Sequence, residues 1–507
     1  MTQESSRKRQ KIENVKEPWI INFFQCVTPV LHAPGQWKNP RDQSRDYFKP
    51  EYWVKIAKLA EKGKLHGIFF GDNLGYYGGY KSKGLDGPFN FQEGAKSGNN
   101  FPKNDPTAYL SAMAISTKNL SFGFTCSTLS EHPYHFARRM ATLDHISNGR
   151  VGWNVVTTIT PTSGRQLSKD NKMPEKDQRY FKTDEYLQVF YELLLSSWRD
   201  DGVVFDRENG IFSNPDAIRE INYVGDYFKV PGPQITEPTK GRIPLIIQAG
   251  SSKYGQLLGA KHGELIFVAN RAPEEVNKLI TEHKRIAKEI YGRDPTKIKF
   301  VTQAAVILGK TDEEAQAKFQ ELLSYVDYEG IYTQSGAAGL DLSKFKDDED
   351  LTKVDDVLAK GFAIGYSQQF PGEIITKKFI AENYHKKITD YVGTPEKIAD
   401  ELEDYINKSG IDGFNFTNLV FPENFEDIIE LLIPELQKRG LAQREYAVEG
   451  GTYRENVYRQ KGHTFVPEDH YAYKYRWKAG ETKEQFEKRL VELKKEHATL
   501  RIVPENK

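Results

Sequence analysis

Short apolar runs alternate along the chain with longer stretches in which apolar residues recur at helical spacing. The runs are rich in Ile, Val and Phe and are bounded by turn-forming residues, so they predict buried β-strands. Eight runs are of this kind: 19–24, 66–71, 120–126, 150–157, 243–250, 264–270, 298–308 and 413–418. Because they are continuously apolar rather than alternating, they predict a parallel sheet covered on both faces.

The stretches between these runs predict helices. Residues 51–63 carry an apolar face and end at Gly63, a residue type that often ends helices. Another helix is predicted to begin at Asp105, because aspartate commonly caps helix N-termini. Further helices are predicted at 133–147, 184–198 and 481–500.

Strand–helix alternation of this length predicts an α/β fold, namely a (β/α)8 TIM barrel. A doubly wound sheet would also alternate, but no GxGxxG sequence follows the first strand, which argues against a dinucleotide-binding sheet. We divide the chain into a disordered basic tail (1–18), a barrel (19–440) with insertions near 158–242 and 326–375, and a C-terminal extension (441–507) packed on the barrel.

Composition excludes some classes of function. Lys+Arg and Asp+Glu both number 71, so no net charge favours nucleic acid or an acidic membrane surface. The two cysteines, Cys26 and Cys126, are in no metal-binding or disulfide pattern, and no apolar run is long enough to be a signal peptide or to span a membrane. These features predict a cytoplasmic protein. The basic cluster at 7–11 leaves a nuclear signal open.

The segment Gly250-Ser251-Ser252 follows a predicted strand and precedes a predicted helix. Two hydroxyls and free backbone N–H groups would meet there at the positive end of a helix dipole, which is a suitable site for a phosphate. Either serine can equally be a helix cap, and the segment alone does not decide between these interpretations.

Other polar residues lie at predicted strand ends, where barrel enzymes carry their active sites. Asp72 ends one strand and Asn154 lies inside another, so each is a candidate ligand contact or a structural hydrogen-bonding group. His32 and His132 follow strands in turn-like contexts, where a structural role is the more common one. Since no metal, nucleophile or P-loop motif is present, we expect a bound cofactor to supply the chemistry.

Longer strings carry a family resemblance. HAPGQWKNPRDQS, PYHFARRMATLDHISNGRVGWNVVTT and IPLIIQAGSSKYGQLLGAKHGELIF, together with the C-terminal EGGTYRENVY, resemble the nitrilotriacetate, dibenzothiophene-sulfone and long-chain-alkane monooxygenases. The likeness runs in order from about residue 19 to 478.

The resemblance implies a bacterial-luciferase-like barrel that takes up reduced FMN (FMNH2) from a separate NAD(P)H:flavin reductase and uses O2 as co-substrate. It implies a flavin C4a-(hydro)peroxide that oxygenates a small organic substrate at a C–N, C–S or C–H bond. By resemblance, Ser251 and Ser252 contact the FMN phosphate. The remaining implied site residues are Asp72, Asn154, Thr125, Ser127, His132 and Tyr134 beside the flavin, and Tyr77 and His32 facing the substrate.

Two positions depart from the family pattern. Gly71 stands where the family usually has alanine, and the segment 332–343 lacks a histidine that some members place in their lid. A deazaflavin-type dehydrogenase on the same barrel and an inactive flavin-binding protein are the alternatives. We expect a homodimer or homotetramer and no nucleic-acid or membrane partner.

Overall fold

A computed structural model describes residues 17–30, 32–82 and 89–503. Its centre is a closed barrel of eight parallel strands in the order β1-β2-β3-β4-β9-β10-β11-β13. Register pairs such as Ile20 with Gly413, and Leu265 with Lys299, close the ring. The barrel strands are β1 (Ile20–Gln25), β2 (Gly67–Phe70), β3 (Ser121–Ser127), β4 (Val151–Val156), β9 (Leu245–Gln248), β10 (Leu265–Val268), β11 (Lys299–Leu308) and β13 (Gly413–Thr417).

The predicted TIM barrel is therefore confirmed, and each of the eight predicted strands is present within two residues of its expected ends. A short strand, β12 (Tyr391–Gly393), extends the far end of β11. Two hairpins lie outside the barrel: β5 (Val203–Asp206) with β6 (Ile211–Ser213), and β7 (Tyr223–Val224) with β8 (Lys229–Val230).

Helices surround the barrel and fill its insertions. Pro106 and Pro133 each occupy the first turn of a helix, where a missing N–H costs nothing. The helices are α1 (Pro50–Lys62), α2 (Gln92–Ser97), α3 (Pro106–Ile115), α4 (Pro133–Ser147), α5 (Pro161–Leu167), α6 (Lys176–Tyr191), α7 (Lys253–His262), α8 (Pro273–Glu289), α9 (Asp312–Ser324), α10 (Tyr328–Ser335), α11 (Val357–Ser367), α12 (Lys377–Ile388), α13 (Pro395–Ser409), α14 (Glu423–Asp427), α15 (Ile433–Lys438), α16 (Tyr453–Val457) and α17 (Lys483–Ala498).

The interpretation of residues 158–242 as holding one helix was wrong. Besides the two hairpins, this stretch contains α5, and α6 begins at Lys176 rather than at Asp184. The first two turns of α6 are mostly polar, so apolar periodicity did not reveal them. They nevertheless bury Arg179 and Tyr180, which become important below.

The interior of the barrel is filled from both ends. At the C-terminal ends of the strands Phe24, Phe69 and Phe267 form an aromatic layer, with ring centroids 5.3–5.7 Å apart. From the opposite end Tyr453 of α16 enters the barrel, and a Cβ added at Gly152 would lie 2.9 Å from its ring. The C-terminal segment thus fills the bottom of the barrel below the aromatic layer.

Residues 326–384 contribute to a second apolar cluster above the barrel. Its members include Ile331, Leu351, Ala363 and Tyr384, joined by Tyr80 from the loop after β2. Within the described ranges, no helix combines the length and apolarity needed to cross a bilayer. The basic cluster at 7–11 and the predicted disordered tail up to residue 16 lie outside the described residues.

Candidate functional site

The ends of β3 and β4 present a pair of polar side chains to the barrel interior. Asn154 Nδ2 donates to Thr125 Oγ1 over 2.8 Å, and both residues are buried. Asn154 Oδ1 has no hydrogen-bond partner within the described residues. Because buried polar atoms are nearly always paired, this oxygen marks a place where a polar ligand would bind.

A strained residue follows the same strands. Thr158 has a φ of 62°, which is costly for a β-branched side chain. Its hydroxyl donates to Ser127 Oγ over 2.6 Å, which holds the two strand ends together. Backbone strain of this kind is typical of binding and catalytic sites.

Gly71 and Asp72 directly follow β2. A Cβ at Gly71 would lie 3.0 Å from the Phe24 ring and 3.1 Å from Cys26 Sγ, which gives a physical reason for glycine where alanine was expected. Burial raises the pKa of Asp72 to about 7, although Lys103 opposes the shift. This carboxyl group can therefore accept or donate a hydrogen bond near neutral pH.

Tyr77 lies in the loop after β2, close to Lys103, whose Nζ is 5.9 Å from the centre of the Tyr77 ring. Lys103 Nζ donates to Asn73 Oδ1 over 2.8 Å, so this cation is held on the β2 side of the barrel mouth. Burial raises the pKa of Tyr77, which keeps its hydroxyl protonated.

His32 stacks on Phe24 of the aromatic layer with the ring centroids 5.7 Å apart. Burial lowers the pKa of His32 to about 4, so the imidazole is neutral. Its Nε2 atom is buried and has no hydrogen-bond partner within residues 17–30, 32–82 and 89–503. His32 therefore has hydrogen-bonding capacity left for a ligand above Phe24.

His132 is the N-cap of α4 and is exposed. Its Nδ1 accepts from the Tyr134 N–H over 3.3 Å, and its ring meets the edge of Phe228 with centroids 6.0 Å apart. Since Nδ1 accepts, the neutral ring carries its proton on Nε2. The half-buried Tyr134 follows in the first turn of the helix.

The turn between β9 and α7 is built for close approach. A Cβ at Gly250 would lie 2.5 Å from Gln248 Nε2 and 3.1 Å from Gly255 Cα, so only glycine fits. Ser252 caps α7 by accepting from the Gly255 N–H over 3.3 Å, while Ser251 is exposed beside it. The capping interpretation of Ser252 is thus confirmed, and it is compatible with ligand contact through the remaining N–H groups.

Two residues of α6 that the sequence pattern does not indicate, Arg179 and Tyr180, lie close to this turn in the chain path. Ser252 Oγ donates to Tyr180 Oη over 3.2 Å. Arg179 is buried, donates from Nη1 to Thr157 O over 3.2 Å, and leaves Nε without a partner in the described chain. No ion pair among the described residues involves Arg179, and Glu175 and Asp177 act on it only from beyond salt-bridge distance, so burial still lowers its pKa.

Known proteins resemble this chain along most of its length. The family model described as Luciferase-like monooxygenase matches residues 27–413. The chain belongs to the luciferase-like monooxygenase family. It is 39% identical over 459 residues to the long-chain alkane monooxygenase of Geobacillus thermodenitrificans, covering 90% of this chain and 97% of that protein.

Two further matches to this luciferase-like monooxygenase are informative. Nitrilotriacetate monooxygenase component A of Aminobacter aminovorans is 31% identical over 459 residues, covering 86% of this chain and 95% of that protein. The crystal structure of a riboflavin lyase with modified FMN and riboflavin has a TM-score of 0.80 at 28% identity, covering 91% of this chain and 100% of that one.

The luciferase-like monooxygenase brings some predicted residues into direct contact and leaves others apart. Thr125 with Asn154 and Ser127 with Thr158 join across strand ends, whereas Ser252 contacts Tyr180 at a separate corner. Cys26 and Cys126 are free thiols. The sequence does not indicate Tyr180, because the residue that it contacts is 72 positions away. It does not indicate Arg179 either, because only the folded chain shows that Nε of Arg179 has no partner among the described residues.

Proposed function

We propose that this chain is the oxygenase component of a two-component monooxygenase that uses reduced FMN from a separate NAD(P)H:flavin reductase. The observation that carries the proposal is the guanidinium of Arg179, whose buried Nε has no partner in the described chain, next to Tyr180, which contacts the Ser252 cap of α7. A phosphate monoester supplies the anion that this corner lacks.

At the phosphate end, Arg179 would donate from Nε, and Ser251 and Ser252 would donate from hydroxyl or backbone N–H groups. Gly250 keeps the backbone open for this approach. Tyr180 holds Ser252 in position through the 3.2 Å hydrogen bond. The crystal structure of a riboflavin lyase with modified FMN supports a flavin mononucleotide on this fold.

At the ring end, Asn154 Oδ1 and the Asp72 carboxyl group would hydrogen-bond to the flavin, with Thr125, Ser127 and Tyr134 lining the same side. The aromatic layer of Phe24, Phe69 and Phe267 lies below and excludes water from the barrel interior. When bound, reduced flavin supplies the electrons that activate O2 for transfer of one oxygen atom to the substrate.

The substrate side is assigned to Tyr77 and His32. Relatives carry names that specify long-chain alkanes and nitrilotriacetate, so we infer a small organic substrate. The designation "component A" of one relative supports a divided system in which reduction takes place on another chain. We also propose a homodimer or homotetramer.

One experiment separates this function from a self-sufficient flavoenzyme. The purified chain with FMN and O2 should not oxidise NADH, whereas adding a flavin reductase should start NADH oxidation. Robust NADH oxidation by the chain alone would show that no separate reductase is needed.

We propose that His132 donates its Nε2–H to the reacting oxygen. Replacing His132 by alanine or by asparagine should then increase the rate at which the reduced-FMN-loaded chain releases hydrogen peroxide, by about tenfold or more, because a hydrogen bond to a charged group is lost. Peroxide release after mixing with O2 is the measurement.

The two substitutions separate catalysis from capping. Asparagine is a good N-cap, so it preserves the start of α4, and alanine does not. If only the alanine variant changes peroxide release, or if neither does, His132 serves the helix and not the reaction.

A further inference from the structure

His385 is a buried histidine that the proposed mechanism does not use. It lies on α12, is 1% exposed, and neither ring nitrogen has a hydrogen-bond partner in the described parts of the chain. An imidazole that packs only against apolar groups loses its hydrogen bonds to water without replacement. At the rim of a ligand site, a bound ligand would replace these lost hydrogen bonds, whereas apolar packing would not.

Two threonines and a histidine nearby share this property. Thr389, one helical turn after His385, has a buried hydroxyl without a partner in the described residues. The same holds for the hydroxyl of Thr417, the last residue of β13, and for Nε2 of His32. Thr417 has the same strand parity as Asn415, which bonds to Asn22 inside the barrel, so Thr417 also faces the interior.

The backbone brings these groups to one side of the barrel mouth. Asp390, next to Thr389, bonds to Ala305 of β11 twice: its N–H donates to Ala305 O over 2.9 Å, and its Oδ2 accepts from the Ala305 N–H over 2.6 Å. Ala305 pairs with Thr417, and Thr417 pairs with Phe24. His32 stacks on Phe24, which completes the arc from α12 to the loop after β1.

Helix α12 also approaches the loop that carries Tyr77, a proposed substrate residue. Burial raises the pKa of Tyr384, and the nearby Tyr77 raises it further. Tyr384 precedes His385 on α12. The helix therefore approaches the mouth both at Tyr77 and at the rim formed by β11 and β13.

The polar groups of this arc are themselves uncharged, and Lys387, two residues before Thr389, donates to Gly365 O over 2.8 Å and to Gln369 Oε1 over 3.1 Å. Burial lowers the pKa of both His385 and His32 to about 4, and no charged neighbour contributes to either shift. Lys103 is bonded to Asn73 on the β2 side. The nearest carboxylate along the chain, Asp390, is bonded to Ala305 and to Asn270, and its charge would repel an anion.

We propose that His385, Thr389 and Thr417, together with His32, form a subsite that binds an uncharged hydrogen-bond-accepting group of the substrate, such as a carbonyl or sulfonyl oxygen, and excludes carboxylates. Neutral imidazoles and hydroxyls donate hydrogen bonds to such an oxygen. A carboxylate would lose its hydration there without gaining a cation. The proposal rests on the proposed function, because it assigns the substrate side of that site.

The test compares two ligands of the same shape. Hexanamide and hexanoate differ at one terminal atom, and calorimetry at pH 8 with the full FMN-loaded chain measures both affinities. The amide should bind at least about tenfold more tightly, because the carboxylate of hexanoate would lose its hydration without gaining a cation. Equal or tighter binding of hexanoate, or no binding of either ligand, would overturn the proposal.

Variants test the residues themselves. His385→Leu should weaken hexanamide binding about tenfold, whereas His385→Gln, which can still donate, should stay within about threefold. His135→Leu, an exposed histidine on α4, is the matched control and should change nothing. Unchanged affinity in a folded His385→Leu protein would limit this residue to packing and overturn its assignment.

Two further measurements keep the outcome decisive. If His385→Leu fails to fold, Thr389→Val, which keeps the side-chain shape, should still weaken hexanamide binding about threefold or more. FMN affinity, measured in the same samples, separates the two levels of the account. A wild-type chain that binds FMN normally but does not prefer hexanamide over hexanoate contradicts only the subsite, whereas absent FMN binding contradicts the proposed function.

Discussion

Replacing Arg179 by methionine is expected to weaken FMN binding about 10- to 100-fold and to leave riboflavin binding unchanged. A hydrogen bond to a charged group contributes about 1.5–3 kcal/mol, and riboflavin lacks the phosphate that this guanidinium is proposed to meet. Methionine retains much of the apolar volume of arginine, so packing of α6 should be little disturbed. Fluorescence titration with both flavins is the measurement.

The control for this variant is Arg165→Met on α5. Arg165 is exposed, so its loss should not alter either affinity. If Arg179→Met weakened FMN and riboflavin binding equally, the effect would come from a distorted site rather than a lost phosphate contact. If neither affinity changed, the phosphate would have to bind elsewhere.

Replacing Asp184 by leucine is expected to lower the free energy of unfolding by about 3–5 kcal/mol, because it leaves a buried cation without its partner. Lys261 Nζ lies 2.7 Å from Asp184 Oδ1, and His262 Nε2 lies 2.8 Å from the same oxygen. The Ile502 N–H donates to Oδ2 over 3.0 Å. Chemical denaturation followed by circular dichroism is the measurement.

The same substitution should also affect the proposed flavin site. Asp184 is on α6 and Lys261 on α7, the two helices whose N-terminal ends carry Arg179 and Ser252. Weakening their connection should loosen the proposed phosphate corner at a distance. We therefore expect FMN affinity to fall in a folded Asp184→Leu protein. Asp404→Asn, which removes an exposed ion pair with Lys408, should change unfolding by no more than about 0.5 kcal/mol.

The pH dependence of this contribution has a defined sign. Burial alone would raise the pKa of Asp184, but Lys261 and His262 outweigh it and hold the pKa below its ordinary value. A carboxyl group whose pKa is lowered by folding stabilises the folded protein at pH values above the pKa of that group in the unfolded chain, which is about 3.9. That stabilisation is lost as pH falls below this value. The difference in the free energy of unfolding between the wild type and Asp184→Leu should therefore become smaller in acid. A difference that does not change with pH would show that the charge of Asp184 contributes no stability.

The strands could be predicted because their signal is local. Each barrel strand is a short run such as 243–250 whose residues are apolar on both faces. Such a run predicts a buried strand without any information about the rest of the chain. The start of α6 could not be predicted, because its first turns are polar in sequence and their buried members bond to residues distant in the chain, Arg179 to Thr157 and Tyr180 to Ser252. The hairpins between β5 and β8 had the same difficulty, since two of their four strands contain only two residues.

The candidate site divides in a similar way. Asp72, Asn154 and Ser252 follow or lie within strands, so barrel geometry alone makes them candidates. Arg179 is different, because its significance is the absence of a partner, which only the folded chain displays. His385 is also visible only in the fold, since its helix meets the barrel through Asp390 and Ala305, 85 residues apart.

The most direct test of the account is an anaerobic titration of the purified chain with reduced FMN, compared with a titration with oxidised FMN. Reduced FMN should bind at least about tenfold more tightly, a difference of about 1.4 kcal/mol, because the oxygenase must capture the reduced form from its reductase. Equal or tighter binding of oxidised FMN, or tighter binding of a deazaflavin, would contradict it.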